Sequence, residues 1–159
     1  MSSLRHLLKP LTKRLGALAG LFVRPMTLGV RGVVLDDDGR ILLVRHTYLP
    51  GWYLPGGGVD AGETVARAVA REIAEETGVA ASGTPHLFAL YLNARVSRRD
   101  HVALLVFDTP CGRPPLRGPS LEIAEVGFFA LDALPPDTTA ATRRRLAEVY
   151  TGATVPPEW

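Results

Sequence analysis

Apolar and polar residues change their spacing several times along this 159-residue chain, and each spacing implies an element. Residues 2–24 place Leu4, Leu8, Leu11, Leu15, Leu18 and Phe22 three or four apart, with Arg5, Lys9, Lys13 and Arg14 between them. That is the stripe of an amphipathic basic helix, and Pro25 closes it. Val30, Val33, Val34 and Leu35 make Met26–Leu35 a largely buried strand. Asp36-Asp37-Asp38-Gly39 reads as a turn, and Arg40–His46, apolar from Ile41 to Val44, as the returning strand.

Thr64–Thr77 lacks Pro and Gly, is rich in Ala, Arg and Glu, and stops at Gly78, so it is expected as one helix. Ala66, Val69, Ala70 and Ile73 line its packing stripe, while Glu72, Glu75 and Glu76, at i, i+3 and i+4, share the adjoining face. His86–Val96 and His101–Asp108 are apolar extended segments joined by a turn at Ser97–Asp100. Thr109–Ser120 carries four prolines and two glycines, which predict an irregular, mobile loop leading into Glu122. Glu125–Leu131 is the last strand. Asp137 or Thr138 is expected to cap a final helix through Tyr150, with Arg143, Arg144 and Arg145 on a solvated face. This order describes an α+β structure rather than a regular βαβ alternation.

Composition narrows the picture only a little. Residues 26–159 suffice for one domain, preceded by the 1–25 extension. With 47% hydrophobic and 21% charged residues, the chain is neither disordered nor membrane-spanning in character. A net charge of +2 and a pI near 9.0 suit an anionic substrate as well as a nucleic acid. Cys111 is the only cysteine, which excludes an internal disulfide and a cysteine metal site and agrees with a reducing cytoplasm. Three roles compete for residues 1–24: packing on the domain or on a homodimer partner, peripheral contact with an anionic membrane, and a secretory signal, in that order. The apolar run Leu15–Val23 is shorter than the roughly 20 residues a spanning helix needs.

Candidate chemistry concentrates in one helix face. Like charges at i and i+4 cost a few tenths of a kcal/mol, so Glu72 and Glu76 call for a compensating partner. Hard carboxylate oxygens without His or Cys nearby suit Mg²⁺ or Mn²⁺, and Arg71 is placed to hold part of the cluster. A solvated acidic face is the plainer alternative. The spacing argues against it: Gly57, then Glu63, then Arg71-Glu72-Ile73, then Glu75-Glu76, Gly78 and Val79 resembles the Nudix box at every specified position over twenty-three residues.

The resemblance covers roughly Thr27 to Tyr150. It implies a Nudix fold, a mixed β-sheet between α-helices, and a metal-dependent hydrolase acting on a nucleoside diphosphate linked to another moiety. Carried over by position, it implies Glu72, Glu75 and Glu76 as metal ligands with the carbonyl of Gly56 or Gly57. Glu63 and Arg71 support them, and the general base is a box glutamate or a loop glutamate, Glu122 ahead of Glu125. The catalytic set is therefore Glu72, Glu75, Arg71 and Glu122. Arg45, Trp52, Tyr53 and Arg95 are the candidate substrate contacts, with Trp52 either stacking on a base or packing its loop. ADP-ribose hydrolases carry a proline sixteen residues beyond the box, where this chain has Arg95. No substrate is named by such a signature. The alternatives are a Nudix-fold module that senses a nucleotide diphosphate without cleaving it and an isoprenoid-diphosphate isomerase, for which Cys111 is poorly placed. No helix-turn-helix is evident and no nucleic-acid partner is expected.

Overall fold

The computed structural model describes residues 26–159. The amphipathic stretch expected in residues 1–25 lies outside the described residues. Two three-stranded sheets form the centre. In the first, β1 (Thr27–Val33) runs parallel to β5 (Asp100–Val106), which pairs antiparallel with β4 (His86–Leu92). In the second, β2 (Ile41–His46) is flanked antiparallel by β3 (Trp52–Tyr53) and β6 (Ile123–Phe129).

The helices α1 (Val65–Thr77) and α2 (Ala140–Thr151) cover opposite sides of this mixed β-structure, because the strands alternate between two cores. Val30, Leu42, Ala103 and Leu105 pack with Ala68, Val69 and Ile73 of α1, whereas Val33, Ile41, Leu43 and Leu104 pack with Leu146 of α2. Period-two alternation on strands buried on both sides explains why β1 and β2 read as continuous apolar runs. Gly32 lets α1 press onto β1, since a Cβ there would meet Ile73 Cδ1 at 2.7 Å.

Several local expectations are corrected. Helix α2 is capped by Thr139, whose hydroxyl accepts from Thr142 N at 3.2 Å. Asp137 and Thr138 precede the cap: Asp137 O accepts from Trp52 N, Thr138 N donates to Pro135 O, and the buried Thr138 hydroxyl makes no hydrogen bond among the described residues. Strand β4 ends at Leu92 rather than Val96, because Asn93 O accepts from Val96 N and its side chain bonds Asp100 Oδ2 at 2.8 Å. The loop from Thr109 to Ser120 is irregular as expected, yet fastened at three points. Cys111 N donates to Leu35 O, Arg113 bonds Asp38 Oδ2 at 2.6 Å, and Arg117 N donates to Thr77 O at 2.7 Å.

Arg145 is the largest departure. Arg143 and Arg144 are exposed, but Arg145 is fully buried. Its guanidinium lies 4.0 Å from the centre of the Tyr91 ring, donates to Glu148 Oε1 at 2.7 Å and to Glu158 O at 3.1 Å. Tyr91 Oη donates to the other oxygen of Glu148 at 2.7 Å, and Trp159 packs edge-on against Tyr91. Among the described residues no helix is long and apolar enough to cross a membrane.

Candidate active site

Helix α1 is fixed at both ends by local chemistry. Thr64 accepts from Arg67 N at 3.3 Å, and Gly78, in the left-handed region at φ 76°, donates its N–H to Ala74 O. With Ala68, Val69, Ile73 and Thr77 buried, the 3.6-residue period leaves Glu72, Glu75 and Glu76 on the flank that faces the Pro55–Gly58 loop.

That loop runs along β1. Gly32 N donates to Pro55 O, Val30 N to Gly57 O and Val59 N to Leu28 O. Glycine is required at Gly56, and at Gly57 it leaves room for the end of the Glu72 side chain. Gly56 has φ 143° with Val30 O where a Cβ would stand, and a Cβ on Gly57 would lie 2.6 Å from the Glu72 carboxylate. The Gly57 carbonyl accepts from Val30 N and so faces the β1 backbone. The Gly56 carbonyl accepts from Arg31 Nη1.

Arg71 organises the glutamates. Its guanidinium clasps both oxygens of Glu63 at 3.0 and 3.1 Å, and it reaches Glu72 Oε1 at 2.7 Å, Glu75 Oε2 at 3.4 Å and Gly58 O at 3.1 Å. Bonding to Glu63 and Glu72 raises the Arg71 pKa far above its ordinary value, and the same contact lowers that of Glu63. Glu76 is different. Burial pushes its pKa up to about 7, with the charges of Glu72 and Glu122 acting in the same direction and the Gly56 N–H bond at 2.9 Å and Arg31 opposing. His46 Nε2 stands 3.9 Å from Glu76, and burial lowers the histidine's pKa.

Glu72, Glu75, Glu76 and Glu122 line one cavity of about 420 Å³, together with Arg117 and Ser120. Its carboxylate oxygens are hard donors, and the largely buried carboxyl of Glu76 has its pKa raised by that burial. These residues therefore fit Mg²⁺ or Mn²⁺. Glu72 is turned to Arg71, and among the described residues no three His, Cys, Asp or Glu side chains are already drawn together as a ligand group.

Of the other expected contacts, Tyr53 stands with its ring 5.6 Å from that of His46, the neighbour of Glu76, and the rest are engaged elsewhere. Trp52 is buried and packs edge-on against Phe129, with ring centres 4.8 Å apart, so it packs its loop and presents no face for stacking on a base. Arg45 is paired across the sheet with Glu125 at 2.7 Å, which occupies both side chains and leaves Glu122 as the loop glutamate at the cavity. Tyr53 Oη donates to Pro50 O. Arg95 lines a separate cavity of about 330 Å³ with Leu92, Arg144 and Trp159.

The NUDIX domain profile matches residues 25–150. The chain belongs to the Nudix family. A MutT-like protein of Streptomyces ambofaciens is 35% identical over 78% of this chain and 71% of its own length. An ADP-ribose pyrophosphatase of Methanocaldococcus jannaschii is 36% identical over 72% of this chain and 68% of its own length. The crystal structure of a MutT Nudix hydrolase from Burkholderia pseudomallei superposes with a TM-score of 0.64 at 35% identity, covering 77% of this chain and 97% of that one. The fold is thus the α+β Nudix fold, and the chain is a Nudix diphosphohydrolase.

Two residues at this Nudix site escaped the sequence reading. Arg31 is half-buried beside Gly56 and Glu76, and burial lowers its pKa. The signal for it was a lone charge inside the apolar run of β1. Arg117 reaches the cavity because its backbone is hydrogen-bonded to the C-terminal end of α1, a contact that no local pattern announces.

Proposed function

We propose that this Nudix enzyme hydrolyses the phosphoanhydride bond of a nucleoside diphosphate linked to another moiety, with Mg²⁺ or Mn²⁺ as its cofactor. One observation carries this reading: four carboxylates line a single cavity, and the most buried of them, Glu76, is held uncharged-prone by its surroundings. When bound, a divalent cation would neutralise phosphate oxygens and lower the pKa of the attacking water. Glu72, Glu75 and Glu76 would hold it. Arg71, clasped by Glu63, fixes the orientation of Glu72 and Glu75 and so acts as a positioning residue.

Glu122 is the proton acceptor. Its backbone is pinned by Thr47 N donating to Glu122 O at 2.9 Å, and its side chain lines the cavity without an arginine partner among the described residues. Water attacks one phosphorus, its proton passes to Glu122, and the P–O bond to the bridging oxygen breaks, giving two phosphate monoesters. The relative named an ADP-ribose pyrophosphatase makes ADP-ribose the first substrate to try.

The test is nucleotide and phosphate release from ADP-ribose, NADH, nucleoside triphosphates, nucleotide sugars and dinucleoside polyphosphates with Mg²⁺, comparing the wild type with Glu76→Gln. Metal-dependent turnover that falls at least a hundredfold in the variant is expected. Ligand binding without turnover on any compound would overturn hydrolysis in favour of sensing.

A further inference from the structure

The end of the domain where the chain enters it is basic and carries exposed apolar side chains. Between β4 and β5 the chain turns through residues 93–99. Asn93 O accepts from Val96 N and Ser97 N, and Arg99 N donates to Ser97 Oγ at 3.1 Å. This turn exposes Arg95, Arg98 and Arg99. None of the three has a carboxylate partner among the described residues, whereas Arg40, Arg45, Arg71 and Arg113 are all ion-paired. Arg144, exposed on α2, lines the cavity of about 330 Å³ that Arg95 and Trp159 also line.

The carboxylates at this end do not cancel the charge. Asp100 accepts from Thr27 Oγ1 at 2.6 Å and Asn93 Nδ2 at 2.8 Å, and Glu158 lines the cavity of Arg95. Four arginines against these two acids leave the surface positive. Among the arginines stands Val96, 75% exposed, and beside them is Met26, 64% exposed, because Thr27 N donates to Arg99 O at 3.1 Å. Residues 1–25 therefore join the domain at this turn. Their sequence has the same two features, an apolar stripe from Leu4 to Phe22 with Arg5, Lys9, Lys13 and Arg14 set into it.

Charge alone suits a nucleic acid as well as a lipid headgroup. The apolar side chains decide between them: Val96 and Met26 gain nothing from a phosphate backbone, but the boundary between headgroups and acyl chains accepts apolar groups while anionic headgroups pair with the guanidinium groups around them. We propose that the β4–β5 turn is a docking surface for an anionic lipid bilayer, which Arg95, Arg98 and Arg99 meet with their charges and Val96 enters, next to the point where the basic amphipathic segment joins. Asn93 and Val96 also line the cavity that reaches Gly57 and Gly58, so the docked face adjoins the glycine loop of the active site.

The test is co-sedimentation of the full chain with vesicles of phosphatidylcholine alone and of phosphatidylcholine with phosphatidylserine, at about 0.05 and about 0.5 M salt. The wild type is expected to bind only the anionic vesicles, and to release them at the higher salt. Arg98→Gln with Arg99→Gln should weaken binding roughly twenty-five-fold, at about fivefold for each arginine near the surface. Val96→Ser should weaken it about threefold. Arg67→Gln with Arg113→Gln, which removes the same charge elsewhere, should stay within about twofold of the wild type. Thermal melts establish that each variant is folded; should the Arg98 and Arg99 pair not fold, Val96→Ser and the salt series decide by the same criterion.

A wild type that ignores anionic vesicles, or binds neutral ones equally well, overturns the proposal. So do two arginine pairs with equal effects, which would leave the binding to residues 1–24 alone or to net charge. Binding of poly(U) RNA without binding of vesicles overturns it in favour of a nucleic-acid surface.

Discussion

Glu76 permits a thermodynamic test of the site without any substrate. Its pKa is raised from the ordinary 4.5 to about 7, chiefly by burial. At about 1.4 kcal/mol per pH unit, ionising it in the fold costs on the order of 3 kcal/mol more than in the unfolded chain. The sign follows from proton counting. Below pH 4.5 the carboxyl is protonated in both states and costs nothing. Between pH 4.5 and 7 the native state holds more protons than the unfolded state, so stability falls as pH rises, and above pH 7 the full penalty is present.

Glu76→Gln keeps an oxygen for the Gly56 N–H and cannot ionise. In EDTA, urea unfolding should therefore find the variant close to wild type at pH 4.5 and about 3 kcal/mol more stable at pH 8.5. Mg²⁺ or Mn²⁺ should narrow the gap at pH 8.5 by stabilising only the wild type. A stability difference that does not change with pH, or a variant less stable than wild type at pH 8.5, would refute the reasoning.

Three further outcomes are expected. Arg145→Met should destabilise the fold by about 3–5 kcal/mol in urea, because it leaves Glu148 buried and unpaired, while Arg145→Met with Glu148→Leu should recover much of the loss. A Cβ at Gly57 meets only the flexible end of Glu72, so Gly57→Ala should keep its melting temperature within a few degrees while kcat falls at least tenfold. Removing residues 1–24 should change oligomeric size on gel filtration or binding to anionic vesicles; unchanged values for both would dispose of the dimer and membrane roles together.

The sequence by itself determined what depends on neighbours along the chain. Helix α1, its Gly78 terminus and the gathering of Glu72, Glu75 and Glu76 on one flank follow from a 3.6-residue period and a fixed spacing. The runs of β1 and β2 were legible because both of their faces are buried. Tertiary structure decided everything that depends on partners distant in sequence. Arg145 looked like one solvated arginine of three, but Tyr91, Glu158 and Trp159 arrive from elsewhere and enclose it. Arg45 was a free cation until β6 brought Glu125 across from it, and of the two roles open to Trp52, stacking or packing, Phe129 decides for packing. Arg31 sat in a run that reads as core, and only the Pro55–Gly58 loop laid along β1 makes it a charge at the edge of a carboxylate site. A local pattern sets which way a side chain leaves its element; whether it meets water, a counter-charge or a ring is settled by the packing of elements that the pattern cannot place.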